Sequence, residues 1–154
     1  MSNPLEDRFW AKVNKTEGCW TWTAAADPNG YGQIKVQGRL VGAHRLSFMI
    51  AYGAIAEGLE VDHKCHNRSC VNPSHLRAAT SKQNGENLAG AYSNSKSGVR
   101  GVSWHARDKK WRAEVGHGGQ RVNLGYFASI QEAEAAVVAK RLELFTHNDM
   151  DRAA

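Results

Sequence analysis

Nowhere in the 154 residues is there a run of about 18 apolar side chains, the length needed by a helix that crosses a membrane. The stretch Met1–Trp10 is polar and charged and lacks the apolar segment of a secretory leader, so the expectation is a protein of the cytoplasm with no membrane partner. Cysteine is scarce: Cys19, Cys65 and Cys70 are an odd number and cannot all pair within one chain. A reducing compartment also disfavours disulfides, which leaves metal ligation as the better use for these thiols. The chain is short as well, sufficient for one domain or for two small ones that each bury little apolar surface. A metal staple in such a small unit would be no surprise. Acidic residues are outnumbered, 15 against 20 Lys and Arg, giving a formal charge of +5. That excess suits a polyanionic partner. It is concentrated in Gly98–Gly125, where Arg100, Arg107, Lys109, Lys110, Arg112 and Arg121 face only Asp108 and Glu114.

Texture divides the chain. Residues 1–92 hold every cysteine and four of the seven histidines. The Ser/Asn/Gly-rich stretch that follows Tyr92 reads as a linker over 93–97. A basic, Gly-rich segment occupies 98–146, and 147–154 reads as a frayed tail. In the first part, Tyr31–Val36 alternates and runs into Gln37-Gly38, which predicts a strand entering a hairpin. Ala43–Tyr52 sets Leu46, Met49 and Ile50 on one helical face, with Gly53 as the stop. A strand is expected through Leu59–His63, and Thr80-Ser-Lys-Gln83 fits a capping box opening a helix to about Ala89. In the second part, strands are expected over Val99–His105, Trp111–Val115 and Gln120–Phe127. A second capping box at Ser129-Ile-Gln-Glu132 opens an Ala-rich helix reaching Phe145. The predicted class is α+β: a metal-stapled first domain, then a small βββα domain.

Cys65, Cys70 and His75 form a Cys-x4-Cys-x4-His pattern, and Cys19 offers a fourth soft ligand from upstream. Four N/S ligands are the requirement of tetrahedral structural Zn²⁺, one ion per chain, with no position open for chemistry. Three buried thiols beside an unrelated histidine are the bland alternative. Regular spacing in a polar loop argues against it. His66 is out of step with the pattern and is read as a surface or DNA-facing residue.

The run Asp62-His-Lys-Cys-His-Asn-Arg-Ser-Cys-Val-Asn-Pro-Ser-His75, followed by Asn84, resembles the HNH and His-Cys-box (ββα-metal) endonucleases, including homing enzymes of phages and bacteria. Cys19-Trp-Thr-Trp22, Gly30-Tyr-Gly32 and Ala43-His-Arg45 extend the likeness upstream. The resemblance implies a phosphodiester hydrolase acting on double-stranded DNA inside a bacterial or phage-infected cell. It makes His63 the general base and Asn84 a ligand of a catalytic Mg²⁺ or similar divalent ion, with Asp62 sharing that ion. Arg39 falls near a position that contacts the scissile phosphate, while His44 and Arg45 are DNA-backbone contacts or supports of the zinc loop. Asn72 is a turn residue or an orienter of His63. The chemistry agrees with these residue types: an imidazole titrates near neutrality, and hard oxygens from carboxylate and amide suit a cation that neutralises a reacting phosphate. One such centre cuts one strand, so a double-strand break calls for a homodimer or two successive nicks.

Val99-Arg-Gly-Val-Ser-Trp104, Lys110-Trp-Arg-Ala-Glu-Val115 and Arg121–Phe127, with the helix after them, resemble the plant ethylene-response-factor (Apetala-type) DNA-binding domain. That likeness implies a three-stranded sheet laid in the major groove. Arg100, Arg107, Arg112, Glu114 and Arg121 would contact bases or phosphates, and Trp104 and Trp111 would point outward to stack on sugars, with a half-buried core position the equal alternative for Trp111. Ser103 and Asn123 depart from the plant pattern, so the target sequence does not carry over. The rival from another class is a zinc-stabilised DNA-binding regulator that never cuts, which leaves His63, Asp62 and Asn84 without a task.

Overall fold

The computed structural model describes residues 3–153 and divides into two compact units, 1–84 and 85–154. In the first, Asn3 caps helix α1 (Pro4–Trp10) by accepting from the Leu5 N–H at 3.1 Å, with Pro4 in the first turn where its missing N–H does no harm. Strands β1 (Val13–Asn14) and β2 (Thr21–Trp22) pair antiparallel. Strands β3 (Gln33–Val36) and β4 (Arg39–Gly42) form a hairpin whose turn, Gln37-Gly38, has φ of +47° and +83°. Two central residues of positive φ match the right-handed twist of the flanking strands. Helix α2 (Ala43–Tyr52) follows at once and ends at Gly53, whose N–H caps the Met49 carbonyl. The expected strand is β5 (Glu60–His63), and it pairs antiparallel with β6 (Leu76–Ala79) across the Cys/His loop. Helix α3 (Ser81–Glu86) opens with the predicted box: the Gln83 N–H donates to Thr80 Oγ1 at 3.2 Å, and the Thr80 N–H donates to Gln83 Oε1 at 2.9 Å. Phe9, Trp22, Ile34, Ala43, Leu46 and Val71 make the core of this unit.

In the second unit, β7 (Val102–His105), β8 (Lys110–His117) and β9 (Gln120–Phe127) form an antiparallel sheet in the order β7-β8-β9, with a bulge at Ala113/Glu114. Helix α4 (Ile130–Leu144) carries the predicted Ser129/Glu132 box. Val102, Ala113, Val115, Ala133, Val137 and Phe145 fill the space between sheet and helix.

Three expectations change. The unit boundary lies at Asn84/Gly85, upstream of the expected linker at 93–97, because Glu86 and Asn87 are buried in hydrogen bonds to residues 146–149 of their own unit. The tail is not frayed: helix α5 (Asp149–Ala153) is fastened by Asp151, which accepts from Arg141 Nε at 2.6 Å and Nη2 at 2.9 Å. The first strand of the sheet begins at Val102 because Gly101 has φ +83° and lies so close to the Glu114 carbonyl that a Cβ would approach it to 2.6 Å.

Candidate metal staple and catalytic cleft

The loop between β5 and β6 is stitched to the strands before it by main chain. The Trp22 N–H donates to the Ser69 carbonyl at 2.9 Å and the Val71 N–H to the Trp20 carbonyl at 2.7 Å. This brings Cys19 beside the other ligands. The ligand atoms of Cys19, Cys65, Cys70 and His75 all lie within 4.8 Å of one another. His75 Nδ1 is 3.6 Å from both Cys19 Sγ and Cys70 Sγ. Zn–S bonds of about 2.3 Å and Zn–N bonds of about 2.0–2.1 Å, at tetrahedral angles, give an S to N edge of about 3.6 Å. Burial pushes the Cys70 thiol up to about 12, neighbouring cysteines adding to the shift, and raises Cys65 as well. Thiolates so disfavoured by themselves need a cation, and the donor set fits zinc. Asn72 turns this loop: its Oδ1 accepts from the N–H and hydroxyl of Ser74, and its Nδ2 donates to the Gly18 carbonyl at 2.8 Å. His66 sits in the left-handed region, φ +56°, with Nε2 buried.

His63, at the end of β5, is buried, and its Nε2 is 3.0 Å from the Cys70 carbonyl oxygen. A carbonyl only accepts, so Nε2 holds the proton and Nδ1 is the basic nitrogen. Burial lowers the pKa of His63 below 6.5, although the Cys70 bond and the charge of Asp62 oppose the shift. Its ring stands 4.9 Å from that of His44 and 5.9 Å from that of Tyr31. His44, at the start of α2, is held down to about 4 by burial and then by His63 and Arg45, so it is neutral at physiological pH. The packing there is close, since a Cβ on Gly42 would come within 3.0 Å of His44 Cε1.

His44, Arg45, Glu60 and Asn84 line one cleft of about 320 Å³ together with Asp27 and Tyr31. Asn84 Nδ2 donates to Glu60 Oε2 at 2.5 Å. Asp62 is buried, and its Oδ2 receives Arg77 Nε at 3.0 Å and Nη2 at 2.8 Å. Arg39 lies exposed in β4 opposite Val36 and does not line the cleft, nor do Asp62 and the buried His63. Glu60 and Arg77 carry no expectation from sequence. Arg77 is invisible without the β5–β6 register that sets it opposite Asp62. Glu60 had a signal in its place two residues before Asp62, on the same side of an alternating strand.

In the second unit, Arg112 and Arg121 both donate to Glu114, the latter at 3.2 Å. Three expected DNA contacts are turned elsewhere. Arg100 directs its guanidinium to the Glu86 and Gly85 carbonyls at 2.9 and 3.1 Å and stacks over Phe145. Trp104 and Trp111 pair across the strands two positions along from Val102 and Ala113, which places them on the core side of the sheet, not the outer side. Trp111 packs on the core, and Trp104 covers its edge with ring centroids 5.0 Å apart. Arg107 stands exposed in the β7–β8 turn.

Residues 41–86 match the family described as HNH endonuclease. That span runs from β4 through α3 and includes His63, Cys65, Cys70, His75 and Asn84, while Cys19 lies upstream. The chain is 39% identical over 72 residues to Protein 7.7 of Escherichia phage T7, covering 47% of this chain and 55% of that protein. It is 32% identical over 87 residues to Protein 2.8 of the same phage, covering 54% of this chain and 59% of the relative. The chain thus spans somewhat over half the length of the curated relatives it matches. No solved structure matches it.

Proposed function

We propose that this chain is a metal-dependent DNA endonuclease that hydrolyses phosphodiester bonds one strand at a time. The observation that carries the reading is the fixed tautomer of His63: with Nε2–H given to the Cys70 carbonyl, Nδ1 is left as the nitrogen that takes a proton from water. The imidazolium formed in that step keeps its Nε2–H bond, which stabilises the charge it acquires. Asn84 supplies an amide oxygen, and Asp62 would share the ion at the expense of its hold on Arg77. These are hard donors, kept apart from the sulfur ligands of the zinc cluster, and they suit Mg²⁺ or a similar cation. Such an ion, when bound, neutralises charge on the phosphate and on the departing 3′ oxygen. Arg45, exposed at the rim of the cleft, is placed for a backbone phosphate, whereas neutral His44 adds no charge there. The expected products are a 5′ phosphate and a 3′ hydroxyl.

The second unit is the binding part in this reading. Lys110, Arg112 and Arg121 share the outer face of its sheet, and Arg107 extends it. Trp104, Trp111 and Arg100 have no part in this contact. The phage relatives favour action within an infected bacterial cell.

The test is incubation of zinc-loaded protein with supercoiled plasmid, with and without Mg²⁺. Wild type should nick in the presence of the ion, and His63→Ala should be slower by about 10²–10⁴ while still binding DNA. A protein that binds but never nicks over a range of metals and targets is a regulator, and the assignment fails.

A further inference from the structure

Glu60 enters neither the family resemblance nor the cut described above, yet the Asn84 side chain is directed at it. The two residues come from different elements, the first position of β5 and the first turns of α3, and they meet at 2.5 Å on the wall of one cleft. An amide side chain has two ends of nearly the same shape, and only the oxygen end ligates a hard cation. Nothing intrinsic to asparagine selects between them. A carboxylate does, because it only accepts, so the Asn84 NH₂ must face Glu60 and Oδ1 must face away from it. Donation to a carboxylate also moves electron density toward Oδ1, as a carboxylate does for a metal-bound histidine.

We propose that Glu60 is a positioning residue of the nuclease centre, which locks the Asn84 amide in the orientation that offers Oδ1 to a divalent cation. The proposal rests on Asn84 being a ligand of that cation.

The experiment uses the full-length, zinc-loaded chain and follows Mn²⁺ binding by electron paramagnetic resonance, with plasmid nicking against Mg²⁺ concentration in parallel. Glu60→Ala should weaken Mn²⁺ binding about 10–100-fold and raise the Mg²⁺ needed for half-maximal nicking by the same factor, with the rate at saturating metal close to wild type. Glu60→Gln, whose amide oxygen still accepts from Asn84, should recover most of the binding. Asn84→Ala should lose it. If Glu60→Ala binds Mn²⁺ like wild type while Asn84→Ala does not, the positioning role is overturned and the ligand role of Asn84 stands. If Glu60→Gln is as weak as Glu60→Ala, the carboxylate is itself a ligand, which also overturns it. If Asn84→Ala binds like wild type, the ligand assignment fails first. A further measurement needs no variant: the Asn84 side-chain N–H facing Glu60 should be protected from exchange in the wild type, and free exchange there overturns the proposal.

Discussion

The two units solve the same problem, staying folded at small size, by different means. Unit 85–154 is a layered fold: one face of a three-stranded sheet and one face of α4 enclose Val102, Ala113, Val115, Ala133, Val137 and Phe145. Its buried Arg141 is paired, bound to Asp151 and to the Arg100 carbonyl. Unit 1–84 divides its strands into three separate pairs of two to four residues each. Two-stranded pairs are marginal in water. Its main cluster is assembled from two helices, a short strand, a hairpin and the metal loop. A loop that has to keep polar groups beside a cleft leaves little room for apolar core, and a cation with four ligands offsets the shortage. On the proposed reading, the difference teaches that the staple stands where the chemistry prevents ordinary packing.

Zinc removal should break the comparison open most widely. Apparent binding energies of structural zinc run to about 10–16 kcal/mol, so chelation or Cys70→Ser should melt the first unit. Amide exchange would then show β5, β6 and α2 unprotected while β8 and α4 keep their protection. Simultaneous loss of both sets would mean that the units do not fold by separate means. Next in size is Arg141→Met, which leaves the half-buried Asp151 without its Arg141 partner and should destabilise the second unit by at most about 3–5 kcal/mol. Thermal unfolding should register this loss, with the zinc content of the chain unchanged.

Acid should separate the units again, over different windows. His44 is held down to about 4 in the folded chain against an ordinary 6.5, so the folded state binds fewer protons than the unfolded one between these values. Stability of the first unit should therefore fall as pH drops from 6.5 toward about 4, by at most about 1.4 kcal/mol per pH unit. His44→Gln should flatten that slope. Asp151 responds in the same sense but at lower pH: burial raises its pKa, but the hydrogen bonds and charge of Arg141 prevail and hold it below 3.8. The contribution of this pair is present above 3.8 and is lost only as pH falls through the lower folded value. Denaturant unfolding across pH, followed by unit-specific amide signals, checks both windows. The smallest expected effect is on DNA binding, where Arg112→Ala and Arg121→Ala should each reduce the salt dependence of affinity by about one in slope. Neither substitution should alter the metal dependence of nicking.

The elements that could be read from sequence were those with local signals. Helix α2, strand β9 and helix α4 agree with their capping and periodic patterns to within a residue. The gathering of Cys19 with Cys65, Cys70 and His75 followed from ligand chemistry, since few other fates suit three thiols and an imidazole at such spacing. What was missed is non-local. Strands β1 and β2 are two residues long and owe their pairing to the metal loop seated against them, and α5 owes its order to Arg141. The tie between Asp62 and Arg77 depends on a cross-strand register that no pattern within either segment announces. The outward reading of Trp104 judged its face from chemical type, whereas strand parity from Val102 and Ala113 decides it, and the same parity selects the half-buried core alternative for Trp111. Helix α1 is the exception: Asn3, Pro4, Glu6 and Asp7 are an open N-terminal signal that the search for a leader segment obscured.

The bond from His63 to residue 70 is made to main chain, while the sulfur of the same residue lies in the Cys/His cluster that could hold a metal. Two selective pressures thus fall on one codon through different atoms. A lineage could trade the thiol for another zinc ligand and still present the same carbonyl, provided the loop kept its path. In the proposed mechanism, drift in the metal chemistry and inheritance of the base are in this way uncoupled within a single amino acid.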